Sequence, residues 1–268
     1  MTEEKSASGW NYQPSEPIKY NPLFDLPPQL GSICRWMIKR WVSVSRFVLF
    51  LILAVILTLH FTPSLSLIED FNFGWFAYLF ARNTALLFIV AGTLHLYLHV
   101  LKVQGDEYKF LKREMAKNSK KFKFNSQVYD NVFWSVLSGV TVWTFYEAIY
   151  WNGVANGFVE TITFQSNPIQ FFLWIFCLPL IRGTHFYFIH RLLHIPFLYK
   201  HVHSTHHRNV NTGPWSGISM HPVENIIYQS SPLIHLFIPT DPIIFTLHLI
   251  VVTLNPAFTH SGFEQIKN

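Results

Sequence analysis

Histidines are concentrated between positions 190 and 207, where the sequence reads HRLLHIPFLYKHVHSTHH. This stretch holds six of the 14 histidines in the chain. Imidazole has an ordinary pKa of about 6.5 and is mostly neutral at cytosolic pH, and the neutral ring is a good ligand for Fe, Zn, Cu and Ni. This concentration of imidazoles therefore points to a metal site.

The spacing of these histidines follows the period of a helix. His190 and His194 are four residues apart, which places both rings on one helical face. A second set with helical spacing begins at His203. Pro196 interrupts the helix between the two sets, so the second can fold back against the first. The predicted catalytic and metal-binding residues of the stretch are His190, His194, His203, His206 and His207.

Two alternatives to this interpretation concern other kinds of histidine site. A low-complexity metal-binding tract is one, but the helical spacing and the interleaved Leu, Ile, Phe and Tyr residues argue against it. Zinc hydrolysis by an HExxH motif is the other, and it needs a Glu after the first His. Arg191 stands there, and no acidic residue occurs from Gly183 to Val223. These all-imidazole surroundings favour a redox metal.

Histidines isolated in apolar stretches are interpreted as hydrogen-bonded core residues: His95, His99, His235 and His248.

The composition is that of a membrane protein. Of 268 residues, 50% are hydrophobic and only 13% are charged, whereas soluble domains are about 25% charged. The mean hydropathy is +0.23. The net charge of +5 is not a nucleic-acid signature, because the basic residues follow the membrane topology. The two cysteines, Cys34 and Cys177, imply neither a disulfide framework nor a thiolate metal site. The polar, acidic N-terminus does not resemble a cleavable signal peptide.

Four apolar stretches are each about long enough to cross a bilayer of about 30 Å. The second carries Arg82, His95 and His99, and we expect these polar groups to face protein. The predicted spans are residues 44–61, 76–101, 128–150 and 169–189.

The basic residues orient these spans. Eight of the 20 Lys and Arg residues lie between Lys102 and Lys123, in the loop after the second span, and six lie before or at the start of the first. The loops after the first and third spans contain no Lys or Arg. Since cytosolic loops carry the excess of basic residues, we predict that the N-terminus and everything after the fourth span are cytosolic.

A helical hairpin is predicted beyond the fourth span. Residues 223–256 contain two apolar runs of about fifteen residues, separated by PTDP at 239–242. Each run is short for a full span. The pair therefore suits a re-entrant hairpin that dips into the membrane and brings His260 back to the side of the other histidines.

Three stretches resemble the fatty acid hydroxylase / sterol desaturase superfamily: HFYFIHRLLH, LYKHVHSTHH and SGISMHPVE. The first two match its HxxxH and HxxHH motifs at the five histidines named above. The resemblance covers roughly residues 131–264. It adds two candidate metal ligands, His260 in THSGFE and His221 in MHP.

The resemblance implies a function. Members of this superfamily are endoplasmic reticulum membrane enzymes in which histidines hold a non-haem di-iron centre. They use O2 to hydroxylate or desaturate unactivated C–H bonds of lipids. For this chain the resemblance implies iron as cofactor, O2 as co-substrate, and a membrane lipid of sterol or fatty-acyl type as substrate. Electrons would come from an external donor such as cytochrome b5. The aromatic residues Phe186, Tyr187 and Trp215 are candidate walls of a substrate pocket.

One departure from the superfamily concerns its last HxxHH motif, which lies beyond the His-Ser-Gly segment. No HxxHH follows His260 in this sequence. We therefore expect a C-terminally truncated hydroxylase-like domain with weak metal binding and little turnover. An alternative stays open, in which the protein is a non-enzymatic membrane protein that acts through partners; two irons per chain would favour the enzyme and one or none the alternative.

The predicted architecture is an all-α, polytopic membrane helical bundle with about four spans, a re-entrant hairpin and a cytosolic histidine-rich metal site. No oligomeric state is predicted. The three predicted parts are a polar, proline-containing arm (1–43), two transmembrane helices with the basic loop (44–127) and the hydroxylase-like domain (128–268).

Overall fold

The part of the chain that the structure describes is helical. A computed structural model describes residues 25–39 and 41–264, together with Pro22 and Ile266. Across these residues the structure consists of helices and turns, and β contacts are limited to three isolated bridges. The predicted all-α class is confirmed. The predicted arm, residues 1–43, lies largely outside the described residues.

The chain divides into two compact units, residues 1–49 and 50–268. The first unit contains α1 (Leu30–Lys39) and the beginning of α2 (Trp41–His60). The predicted boundary between residues 127 and 128 stays a prediction.

Three of the predicted spans are long helices, which follow the short helix α3 (Leu65–Ile68). By length and composition each is able to cross a membrane. They are α4 (Phe73–Val100), α5 (Gln127–Ala155) and α6 (Pro168–Leu193). The first predicted span, 44–61, falls in α2, whose described apolar part, Ser45–His60, is shorter than these three.

Local capping explains where the long helices begin. The Asn72 side chain accepts hydrogen bonds from the first N–H groups of α4, and Ser126 does the same for α5. Pro168 opens α6, where its missing N–H costs no helical hydrogen bond. Both α4 and α5 contain π-helical turns, at Phe88–Gly92, Leu96–Val100 and Ser135–Val140.

Shorter helices follow α6. The segment α7 (residues 196–207) consists of an α-turn, a π-helical turn over Tyr199–His203 and a further α-turn. It is followed by α8 (Pro222–Tyr228) and by the 3-10 helix α9 (Ser231–Leu236). The last helix, α10 (Pro242–Thr259), is an α-helix over Pro242–Thr253 that continues through Asn255–Thr259. Two further 3-10 turns lie at Lys123–Asn125 and Pro214–Ser216.

The predicted hairpin differs from the structure in the length of its second arm. The first apolar run forms α8 and α9, which are short. The second run begins at Pro242, where the Asp241 side chain caps the helix, and continues past Pro256 to Thr259. Pro256 lies in the first turn of the final segment, where proline is compatible with a helix. The second arm is therefore long enough by itself to cross a membrane.

Hydrogen bonds show which loops share an end of the second unit. The basic loop after α4 bonds to the C-terminal segment through Phe110 N–H to Gly262 O, and to the segment after α7 through the Asn211 amide to Arg113 O. At the opposite end, the Asn152 and Asn156 amides donate to backbone carbonyls at Ile68 and Glu69. The basic loop therefore lies at the same end as the histidine-rich segment.

Two polar side chains of α4 have partners inside the bundle. The Arg82 guanidinium of α4 binds the Glu147 carboxylate of α5, and both side chains are buried. His99 in α4 contacts the carbonyl oxygen of Ser261 at 2.8 Å. The prediction that polar groups of the second span face protein is confirmed for these two residues.

Candidate metal centre

The break between α6 and α7 brings two pairs of histidines together. Proline has no N–H to continue a helix, so α6 ends before Pro196 and the chain restarts as α7. His190 at the end of α6 then lies against His203 of α7, with ring centroids 4.9 Å apart. His194 lies 5.1 Å from His207 in the same way.

The ring nitrogens of these four histidines point at one another. The Nε2 atoms of His194 and His190 are 3.1 Å apart, and those of His207 and His203 are 2.9 Å apart. One nitrogen of each ring lies within 4.8 Å of those of the other three. We call this group the four-histidine cluster: His190, His194, His203 and His207.

The geometry of the four-histidine cluster fits a bound metal ion. Bonds of about 2.0–2.1 Å to zinc hold neighbouring ligand nitrogens roughly 3 Å apart, which is the spacing within each pair. The donors are all imidazole nitrogens, which suit Fe, Zn, Cu or Ni. His203 is buried, whereas His194 and His207 are exposed, so the cluster opens towards the surface.

Burial keeps the rings in their neutral, ligating form. Burial, assisted by the neighbouring histidines, lowers the pKa of His207 to about 4, and burial alone lowers the pKa of His203 to about 4. At neutral pH both rings are therefore uncharged and have a free lone pair for a metal.

Glu224 corrects the expectation of all-imidazole surroundings. Its Oε1 lies 2.7 Å from Nδ1 of His203, and both residues are buried. Its other oxygen, Oε2, is buried without a hydrogen-bond partner. Burial raises the pKa of Glu224 to about 9, so the ionised carboxylate is stable here only with positive charge nearby.

Sequence reasoning missed Glu224 because its contact joins residues that are 21 positions apart. The residue lies one position beyond the acid-free window that ends at Val223, within the quoted stretch SGISMHPVE. A proline directly after a polar residue is typical of a helix start. Pro222 therefore predicts that Glu224 lies in the first turn of a helix, as it does in α8. No local signal indicates that this turn faces α7.

His206 and His260 form a second, looser pair. Their ring centroids are 5.3 Å apart, and His206 is 5.9 Å from both His203 and His207. Nδ1 of His206 is buried without a hydrogen-bond partner, and burial lowers the pKa of His206 to about 3. Close packing positions this pair, because any side chain at Gly217 would collide with the backbone of Pro256.

The structure thus separates the seven predicted ligands. Four form the cluster, and two, His206 and His260, lie beside it as a pair. The seventh, His221, caps α8, where its Nδ1 accepts the N–H of Val223 at 3.3 Å, and it does not belong to the four-histidine cluster.

A cavity of about 80 Å³ connects the two groups of histidines. This volume holds a few water molecules and is well below the roughly 300–1,000 Å³ of ligand pockets. Of the three predicted aromatic walls, Phe186 lines the cavity; Tyr187 instead accepts a hydrogen bond from Arg191, and Trp215 packs on Phe88. The cavity lining consists of His190, His203, His206, His260, Glu224, Phe186, Ile189, Leu193, Met220 and Tyr228.

A larger, mostly apolar cavity of about 350 Å³ lies at the opposite end of the second unit. Phe71, Ile149, Phe158 and Phe237 are among its walls, and no histidine lines it. The larger cavity therefore does not coincide with the histidines.

Comparison with known protein families agrees with the motifs. The fatty acid hydroxylase family model matches residues 174–268, which include all the histidines described in this subsection. Over these residues the chain is similar to the fatty acid hydroxylase family. No solved structure matches the chain significantly.

Three curated relatives of this chain carry the names of lipid-oxidising enzymes. A Delta(7)-sterol 5(6)-desaturase of Aspergillus fumigatus is 35% identical over 72 residues, which is 27% of this chain and 22% of the relative. A putative Delta(7)-sterol-C5(6)-desaturase of Arabidopsis thaliana is 37% identical over 99 residues, 35% of each chain. Sphinganine C4-monooxygenase 2 of the same plant is 40% identical over 52 residues, 19% of this chain and 20% of the relative. The chain spans between about a fifth and a third of these relatives.

Proposed function

We propose that this protein is an iron-dependent membrane oxidoreductase that uses O2 to hydroxylate or desaturate a lipid. The observation that carries the proposal is the convergence of four imidazole nitrogens within 4.8 Å at the end of an apolar helix. The match of residues 174–268 to the fatty acid hydroxylase family supports lipid oxidation as the reaction. Sterols, fatty acyl chains and sphingoid bases are the candidate substrates, since the relatives include sterol desaturases and a sphinganine monooxygenase.

The residues of the chain have separate roles in this proposal. His190, His194, His203 and His207 would hold iron, which would supply the activation of O2 and the oxidation of a C–H bond. His206 and His260 are candidates for a second ion, because a buried nitrogen of His206 has no partner. The apolar side chains that line the cavity keep bulk water from the ligands. Because the cavity is too small for a lipid, the substrate would approach from the exposed side of the cluster, where His194 and His207 lie.

The proposal includes an orientation and a partner. The basic loop and the histidines lie at one end of the second unit, and the excess of basic residues favours the cytosolic side. There an external electron donor such as cytochrome b5 would reach the site, in the endoplasmic reticulum membrane. A glycosylation acceptor inserted near Asn156 should then be modified in cells, and one near Asn118 should not. The opposite pattern would place the histidines in the lumen and rule out a cytosolic donor.

Metal content and product formation together test the reaction. We would purify the whole chain and measure iron per chain. We would then supply O2, cytochrome b5 with its reductase, and a set of sterols and long-chain lipids. Iron and an O2-dependent product, both lost in His194→Ala and both kept in His201→Ala, support the proposal. His201 is the matched control because it lies in α7, is exposed and is outside the four-histidine cluster.

A chain that binds no iron and forms no product would instead favour the non-enzymatic alternative. Product formation that survives loss of the cluster would place the chemistry elsewhere in the molecule.

A further inference from the structure

We propose that Glu224 is a positioning residue for the metal centre: it holds the ring of His203 so that Nε2 faces the other three histidines. The inference rests on the proposed function, since it concerns the metal that the cluster would bind. Glu224 itself does not belong to the four-histidine cluster, and its Oε1 is bonded to His203.

The two nitrogens of His203 face different partners. Nδ1 lies 2.7 Å from Oε1 of Glu224, and Nε2 lies 2.9 Å from Nε2 of His207. A neutral imidazole has one N–H and one lone pair, on opposite sides of the ring. If Nδ1 carries the hydrogen and donates it to Glu224, the lone pair on Nε2 is available in the cluster. When a bound metal supplies the positive charge that keeps Glu224 ionised, its carboxylate would select the tautomer with the lone pair at Nε2.

Because the pair is buried, the ring orientation of His203 depends on this hydrogen bond. His203 and Glu224 are each only 1% exposed, so bulk water does not compete for this hydrogen bond. The other three histidines of the cluster are more exposed than His203. His203 is thus the ligand whose ring orientation depends most on the protein.

The helix that carries Glu224 is also held by contacts outside the four-histidine cluster. In α8, the amide of the neighbouring residue Asn225 donates to the hydroxyl of Ser138 in α5 and to the carbonyl oxygen of Ile218. The Gln229 amide donates to the carbonyl oxygen of Gly139, also in α5. Because α5 anchors α8, the carboxyl group of Glu224 has a defined position against which the ring of His203 can be set.

The free oxygen of Glu224 makes a conservative substitution informative. Oε2 has no hydrogen-bond partner and Glu224 lines the cavity, so the amide of Glu224→Gln can place its NH2 group there and keep an oxygen for Nδ1 of His203. Glu224→Ala removes the acceptor altogether. A positioning role predicts a large difference between these variants, whereas a role that requires negative charge predicts the same loss in both.

Metal affinity measured on the whole chain tests the proposal. We would titrate the purified parent, Glu224→Ala and Glu224→Gln with Co²⁺ against a competing chelator, and record visible ligand-field spectra and thermal midpoints. Glu147→Gln is the control, because it alters another buried carboxylate, paired with Arg82, that does not contact the cluster. Loss of a partner that orients a metal-binding histidine costs about 10–100-fold in affinity. We expect that loss and a changed spectrum in Glu224→Ala, a loss below about 10-fold in Glu224→Gln, and none in Glu147→Gln.

Several results would overturn the proposal. Unchanged Co²⁺ affinity in Glu224→Ala would remove the positioning role while leaving the metal site intact. Equal losses in Glu224→Gln and Glu224→Ala would show that charge, not orientation, matters. A loss in Glu147→Gln as large as in Glu224→Ala would assign the effect to general destabilisation. A parent chain that binds no metal would overturn the proposed function as well, so the two failures are distinguishable.

Discussion

Two groups of histidines in the same bundle differ in what their ring nitrogens face. In the four-histidine cluster, Nε2 atoms face one another in pairs. In the second group, His235 and His248 contact each other, but the two remaining nitrogens face the hydroxyl groups of Thr240 and Ser231. Every ring nitrogen of the second group therefore has a hydrogen-bond partner, whereas the Nε2 atoms of the cluster face only other imidazoles.

The two groups differ in burial, but their buried rings do not differ in charge. His235 and His248 are almost completely buried, whereas two members of the cluster are exposed. Burial lowers the pKa of His235 to about 3, so it is as neutral as His203. The two groups are therefore distinguished by the hydroxyl partners of His235 and His248, which the Nε2 atoms of the cluster lack.

Replacing His203 should have the largest effect on metal binding. His203→Ala removes one of the four nitrogens and leaves the carboxyl group of Glu224 buried without a partner. We expect metal affinity to fall by at least the roughly 10–100-fold that loss of an orienting partner costs. Chelator competition on the purified chain measures this, with His201→Ala as the control. Equal affinity in the two variants would contradict the assignment of the cluster.

Replacing His206 should have a smaller effect. Its ring lies beside the cluster but outside the group of four, and its closest ring contact in the site is His260. We expect the affinity of the most tightly held ion to fall by less than about 10-fold in His206→Ala, as seen in the same titration. If this variant loses that ion as completely as His203→Ala does, the metal centre includes His206 as well as the four-histidine cluster.

Replacing His248 should leave metal binding unchanged and lower stability. His248→Ala removes the partner of both His235 and Ser231 inside the bundle. Each buried polar group left unsatisfied costs about 1–3 kcal/mol, so the thermal midpoint of the purified protein should fall clearly. If this variant loses metal at a temperature where it is still folded, His248 contributes to the metal centre and is not only a core residue.

Replacing Thr240 should have the smallest effect. Thr240→Val keeps the shape of the side chain but removes the hydroxyl group that lies 3.1 Å from Nδ1 of His235. We expect a decrease on the order of 1 kcal/mol in the free energy of unfolding and no change in metal content. Calorimetry alongside metal analysis checks both, and a stability equal to that of the parent would mean that His235 is satisfied in another way.

Sequence patterns were sufficient for features that depend on local spacing. Apolar length predicted α4, α5 and α6, and i,i+4 spacing with Pro196 between the sets predicted that His190 and His194 meet His203 and His207. The interpretation of His235 and His248 as hydrogen-bonded core residues is also confirmed.

Features that depend on contacts between residues far apart in the chain could not be predicted from the sequence. The hydrogen bond between Glu224 and His203 requires α8 to be docked on α5, and no spacing encodes that. Pro256 predicts the end of the hairpin, yet α10 continues past it because proline is compatible with the first turn of the next segment. His206 shares the motif of His203 and His207, yet the geometry of α7 turns it towards His260.

The order of the ligands along the chain has a consequence for folding kinetics. The four-histidine cluster is built from residues 190 to 207, joined by the short turn at Pro196. Contacts between such near neighbours require closure of a small loop, and local contacts form faster than distant ones. The cluster can therefore assemble as soon as α7 has been synthesised. The carboxyl group that orients His203 and the imidazole that faces His206 arrive later, with residues 224 and 260. The centre therefore begins to form through local contacts, and it becomes rigid only when the rest of the bundle has packed against it.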